Sequence, residues 1–228
     1  MDSWRTELKG GRITGIKRRD FLRLSVLFLA GCAIPPKTAP AGTPTSTALA
    51  VQATPVPPDL ATCRLTAVVA PTPAARPGPD QLDDVGLHVT ASPVHIDLST
   101  YRLRVTGLVD HPLELSLDDL RCMPKMTARP NLTCQGVFED VTSWSGVPFR
   151  HVLELAGVQT KAKAINMVGA DQFQAYSSLN DALQAYNYLA YQWQDQPLPV
   201  LHGFPVRAVM ATTFGYAWVK WLVQIQVT

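Results

Sequence analysis

From Tyr101 to Thr106 the side chains alternate apolar and polar, the period of a strand with one buried face. Gly107 and Asp110-His111-Pro112 turn the chain, and Ser116 with an acid three residues on, Asp119, predicts a capped short helix that Pro124 ends. Phe149, Val152, Leu153 and Ala156 recur at helical spacing, with Gly157 as the stop. Ala164–Val168 reads as a buried strand, Ser178 and Asp181 repeat the capping pattern, and Tyr188–Trp193 predicts another strand. At the end, Trp221, Val223, Ile225 and Val227 alternate with Leu222, Gln224 and Gln226, which predicts a last strand with one wetter face. Short helices between strands, without the regular alternation of a doubly wound sheet, predict an α+β domain over residues 82–228. At roughly 145 residues it can bury a proper core.

The first 31 residues follow another pattern. Lys17-Arg18-Arg19-Asp20-Phe21-Leu22-Arg23 precedes the apolar run Leu24–Ala30, as in a twin-arginine export signal. At about 20 residues for a span, this run is too short to cross a bilayer. It ends Leu29-Ala30-Gly31-Cys32, which resembles a bacterial lipoprotein processing box, so Cys32 is the expected lipidation site. Several acyl chains there would hold the protein at the extracytoplasmic face of the cell membrane. Residues 32–81 are rich in Pro, Thr and Ala and read as a semi-rigid tether, within which Cys63–Val69 has enough apolar residues to lie on the domain. There is no internal repeat.

Charge changes the picture once the leader is set apart. The whole chain carries +2, but residues 1–31 hold seven Lys/Arg and three Asp/Glu. That leaves 13 basic and 15 acidic residues, a net −2, for residues 32–228. No basic stripe remains to bind nucleic acid, and 46% hydrophobic residues argue against wholesale disorder.

The candidate chemistry centres on sulfur. Of four cysteines, acylation of Cys32 would leave Cys63, Cys122 and Cys134. Pairing Cys63 with Cys122 would leave Cys134 alone, but the sequence does not fix the connectivity. There is no CxxC, no GxSxG, and no metal-ligand spacing among His88, His95, His111, His151 and His202. Cys134 lies in Asn131-Leu132-Thr133-Cys134-Gln135-Gly136, where a strand ending in Cys-x-Gly puts the sulfur at a strand-to-loop edge. An inert buried thiol is the competing reading.

Read together, several segments resemble the molybdopterin-binding domain of the sulfite oxidase family, which includes the bacterial periplasmic methionine sulfoxide reductase catalytic subunit. They are the Cys134 segment, Tyr101–Val109, Leu115–Leu120, His202-Gly203-Phe204-Pro205-Val206-Arg207 and Gly215-Tyr216-Ala217-Trp218-Val219-Lys220-Trp221, in family order over residues 85–228. The resemblance implies mixed sheets with short helices, a molybdenum-molybdopterin cofactor, and Cys134 as metal ligand and catalytic centre. A soft thiolate suits such a centre. It further implies that His202, Arg207 and Lys220, with the backbone of Trp218 and Val219, bind the pterin and its phosphate, with Gly169, Asp171 and Tyr216 lining the same cleft. Arg129, five residues before Cys134, is a candidate for holding an anionic substrate. Gln135 and Ala217 depart from the family pattern, where Pro and Lys are frequent; the first is expected to alter the substrate pocket and the second to weaken phosphate binding.

The expected protein is therefore a lipid-anchored oxidoreductase that transfers an oxygen atom on a small sulfur or nitrogen oxo compound. The chain stops after its last strand, with no room for the dimerisation or haem domains of eukaryotic-type sulfite oxidases. A monomer that exchanges electrons with a separate protein is the expectation. The alternative is a cofactor-free binding or scaffold lipoprotein that kept the fold. A disulfide exchanger fits poorly without a partner cysteine near Cys134.

Overall fold

In the computed structural model, residues 63, 65–72, 75–78 and 81–228 are described. The export signal (1–31), the acylation site Cys32 and most of the tether lie outside the described residues.

Twelve strands and three short helices follow one another from Leu103. The strands are β1 (Leu103–Gly107), β2 (Leu113–Leu115), β3 (Met126–Ala128), β4 (Asn131–Cys134), β5 (Phe138–Val141) and β6 (Trp144–Pro148). After them come β7 (Ala164–Gly169), β8 (Gln174–Ser178), β9 (Asn187–Trp193), β10 (Gln196–Pro197), β11 (Arg207–Met210) and β12 (Leu222–Val227). The helices are α1 (Leu117–Cys122), α2 (Phe149–Ala156) and α3 (Leu179–Ala182). One sheet has the order β2-β1-β12-β7-β8, with β1 and β12 parallel and the other pairs antiparallel. A second has the order β10-β9-β6-β3, and β11 also pairs with β9. The fold is α+β with short helices, as the sequence pattern predicts, and its sheets are mixed, as the resemblance implies.

Local chemistry explains the helices. Ser116 caps α1 by accepting from Asp119 N, while the Asp119 carboxylate reaches back to Ser116 N at 2.8 Å. Ser178 caps α3 by accepting from Asp181 N at 3.0 Å, and its hydroxyl donates to Asp181 Oδ2 at 2.6 Å. Helix α2 buries Phe149, Val152, Leu153 and Ala156, and Gly157 closes it with a left-handed φ of 66°. In β12 the strict alternation fails. A register shift between Leu222 and Gln224 makes Val223 the extra residue of a bulge, so Leu222 and Ile225 are both buried while Val223 is half-exposed.

Cys63 and Cys122 form a disulfide, and Arg121 Nη1 donates to Thr66 O at 3.0 Å. Val68 packs against the core. This segment of the expected tether is therefore fastened to α1. Further on, Leu82 and His88 bridge across the turn Asp83-Asp84-Val85-Gly86, closed by Asp83 N to Leu87 O at 2.9 Å and Gly86 N to Asp83 O at 3.0 Å.

Candidate functional site

Strand β4 delivers Cys134 to the edge of a small two-stranded unit in which Cys134 pairs with Phe138 of β5. Val137 N donates to Cys134 O at 2.9 Å across a turn whose third residue is Gly136. The thiol is half-exposed, and among the described residues it is the free cysteine. It opens into a cavity of about 360 Å³ whose walls include His202, Arg207, Trp218 and Lys220. That size is at the lower end for ligand pockets. The strand-to-loop reading of Cys134 is what the chain adopts.

Arg207 begins β11 and is 3% exposed. Its guanidinium lies between indoles, 4.7 Å from the Trp144 ring centroid and 5.5 Å from that of Trp218. Nη1 donates to His202 O at 3.3 Å and Nη2 to Trp218 O at 3.4 Å, both long, while Nε is buried with no partner. Among the described residues no carboxylate lies within ion-pair distance of it. Burial lowers its pKa to about 10, partly offset by Tyr188 and Asp140, so it stays cationic at neutral pH.

Among the described residues no carboxylate lies within ion-pair distance of Lys220 either. Its Nζ donates to Leu201 O at 2.9 Å and lies 4.7 Å from the Trp221 ring centroid. Burial first, and then Arg207, push its amine down to about 7. Gly203 lets the two cations converge. A Cβ there would stand 3.1 Å from Arg207 Cβ and from Lys220 Cα, at a φ of 106° that side chains rarely adopt.

His202 is 3% exposed, and its Nε2 lies 2.7 Å from Asp83 Oδ2. Burial dominates its titration and holds its pKa near 4, with Arg207 pushing down and the Asp83 hydrogen bond pulling up. The ring is neutral at pH 7. Trp218 is held by Nε1 to Met210 O at 2.9 Å. Asp171 and Tyr216 also line the cavity, Asp171 through a turn in which its Oδ1 accepts from Phe173 N at 3.1 Å.

The structure corrects other expectations. Gly169 and Val219 are not in the wall but behind it. A Cβ on Gly169 would come within 2.5 Å of Asp171 Oδ1 and 2.7 Å of Lys220 O, and buried Val219 accepts Ala208 N at 2.8 Å. Arg129 is exposed in the connection from β3 to β4 and does not line the cavity, because five positions along a bending chain do not carry it inward. Gln135 is exposed on the turn and Ala217 is 1% exposed, and neither lines the cavity.

Sequence reasoning missed the part of the wall contributed by His88, Thr90, Phe138 and Phe173. His88 stacks on Phe138 with ring centroids 4.5 Å apart, and its Nδ1 lies 2.7 Å from Asp140 Oδ1, leaving Nε2 for a ligand. The available signal was the Asp83-x-x-Gly86 turn, which predicts a hairpin that carries Asp83 and His88 together.

A buried cation with an orphaned Nε, a second cation without a carboxylate partner among the described residues, and an open thiol make a donor set for an anionic, sulfur-liganded group. Residues 89–228 match the family described as an oxidoreductase molybdopterin binding domain. The chain belongs to that family. It is a molybdopterin-dependent oxidoreductase domain, and the residues present fit the molybdenum-molybdopterin cofactor of the family. The chain is 32% identical over 143 residues to "Uncharacterized oxidoreductase YuiH" of Bacillus subtilis, covering 62% of this chain and 72% of that one. It is 31% identical over 133 residues to "Putative protein-methionine-sulfoxide reductase subunit YedZ1" of Azospira oryzae, covering 58% and 51%. With the sulfite oxidase of Arabidopsis thaliana it shares 29% over 171 residues, covering 59% and 44%. The chain thus spans about half or less of the length of these last two relatives. The crystal structure of the sulfane dehydrogenase SoxCD from Paracoccus pantotrophus shares the fold, with a TM-score of 0.55 at 24% identity over 59% of this chain and 40% of that one.

Proposed function

We propose that this oxidoreductase transfers an oxygen atom to or from a small sulfur or nitrogen oxo compound, at the extracytoplasmic face of the membrane, held there by lipid on Cys32. The observation that carries the reading is the half-exposed Cys134 thiol sharing one cavity with Arg207 and Lys220, neither of which has a carboxylate within ion-pair distance among the described residues. The names of the relatives, a sulfite oxidase and a methionine sulfoxide reductase subunit, support the sulfur oxo class. The Cys63–Cys122 disulfide supports an oxidising compartment, in keeping with the twin-arginine and lipoprotein patterns.

When bound, the cofactor supplies a two-electron change coupled to oxygen transfer. Cys134 would hold its metal. Arg207 and Lys220 would neutralise its phosphate, their charges already desolvated by the indoles around them. His202, neutral, would hydrogen bond the pterin. Phe138 and Phe173 give the wall an apolar part, and His88 stacks on Phe138 with its orientation held by Asp140. Electrons would pass to or from a separate protein, with this chain acting as a monomer. Ala217, the support for a cofactor-free scaffold, is buried and lies outside the cavity wall, while the retained Cys134, Arg207 and Lys220 favour the cofactor-bound reading.

The test is turnover by molybdenum-replete protein: oxygen removal from sulfoxides and N-oxides with a reduced viologen, and oxidation of sulfite with ferricyanide. Activity on one class, abolished by Cys134→Ser, is expected. Replete protein inert in every assay would overturn the proposal. For the anchor, Cys32→Ala should move the protein from the membrane to the soluble extracytoplasmic fraction.

A further inference from the structure

The Asp83 carboxylate is unusually well occupied for a residue in a surface turn. Its Oδ1 accepts from Val85 N at 3.2 Å and Leu87 N at 3.0 Å, and its Oδ2 faces His202 Nε2 at 2.7 Å. The two side chains are 1% and 4% exposed. The pair joins residues 119 positions apart, and Asp83 precedes the stretch 89–228 that the family covers.

An ionised carboxylate only accepts hydrogen bonds, so a neutral imidazole facing it must carry its proton on Nε2. The other ring nitrogen, Nδ1, is then an acceptor. Among the described residues no protein group takes it, while His202 lines the cavity. We infer that Asp83 is a positioning residue of the cofactor pocket: it sets the His202 tautomer, so that Nδ1 is offered as an acceptor to an N–H or O–H donor of the bound pterin. The inference rests on the reading that His202 faces the cofactor. Groups that orient a metal-ligating histidine from behind typically matter 10–100-fold, and the same orienting role is inferred here for a pterin-facing ring. Burial is the main force against a second proton on the ring; Arg207 and Lys220 add to it, while Asp83 opposes them through its hydrogen bond and its charge.

The experiment is long-range ¹H–¹⁵N correlation on histidine-labelled, full-length, cofactor-bound protein at pH 7. Wild type should give the Nε2–H pattern for His202. An Nδ1–H or doubly protonated ring would overturn the inference without any variant. In Asp83→Asn the amide oxygen retains the two main-chain donors and turns its NH₂ toward His202, so the proton should move to Nδ1. Cofactor loss on dialysis should speed up roughly tenfold or more. Unchanged retention in Asp83→Asn, beside rapid loss in His202→Ala, would overturn the role of Asp83. Unchanged retention in both would instead overturn the reading that His202 faces the cofactor, and the inference with it.

Discussion

The guanidinium of Arg207 lies 4.7 Å from the ring centroid of Trp144, and its Nε has no partner among the buried groups around it. Burial without a carboxylate costs the folded chain several kcal/mol, while indole faces and two long hydrogen bonds return only part of that. Arg207→Met should therefore leave the cofactor-free protein as stable as wild type, or up to about 2 kcal/mol more stable, while molybdopterin is lost on purification. Denaturant melts and pterin fluorescence check the pair. A large destabilisation with the cofactor retained would show the arginine to be structural.

Lys220 should bind the cofactor phosphate with proton uptake. Burial and Arg207 hold its pKa near 7, below the ordinary lysine value, so the folded chain gives up this proton far earlier than the unfolded one. An anion beside it raises the pKa again. Near pH 8, calorimetry in buffers of different ionisation heat should report uptake approaching one proton per ligand, and Lys220→Met should abolish it.

His202 should make the fold acid-sensitive. Its pKa is near 4 in the folded chain against an ordinary value near 6.5, so between these values the unfolded state binds more protons. Its contribution is fully present above about 6.5 and is lost as the pH falls toward 4, at up to about 1.4 kcal/mol per pH unit. The difference between wild type and His202→Gln, followed by denaturant melts across that window, isolates this slope from the carboxylates.

The Cys63–Cys122 disulfide closes 59 positions of chain, which in a chain-entropy account stabilises the fold by about 4 kcal/mol at most. Cys63→Ala with Cys122→Ala should lower stability by roughly 2–4 kcal/mol, with little effect on cofactor content, since neither residue lines the cavity. Loss of cofactor at full stability would contradict this.

What the sequence made legible was local or carried by motif. The caps at Ser116 and Ser178 and the stripe of α2 need only neighbours three or four residues away. The cysteine and the cationic set appear in segments whose order resembles a family. The misses are of another kind. The Asp83–His202 and His88–Asp140 pairs join positions 119 and 52 apart, which no periodicity encodes. Arg129 looked close to Cys134 because it is close along the chain, yet β4 carries it away from the cavity. The bulge at Val223 broke an alternation that otherwise holds.

The central claim is that the Cys134 sulfur binds molybdenum. X-ray absorption at the molybdenum edge, on wild type and Cys134→Ser with the metal retained, tests it most directly. The account predicts one fewer sulfur neighbour at the metal in the variant, with the melting temperature unchanged within a few degrees. Equal sulfur coordination in the two proteins would contradict it.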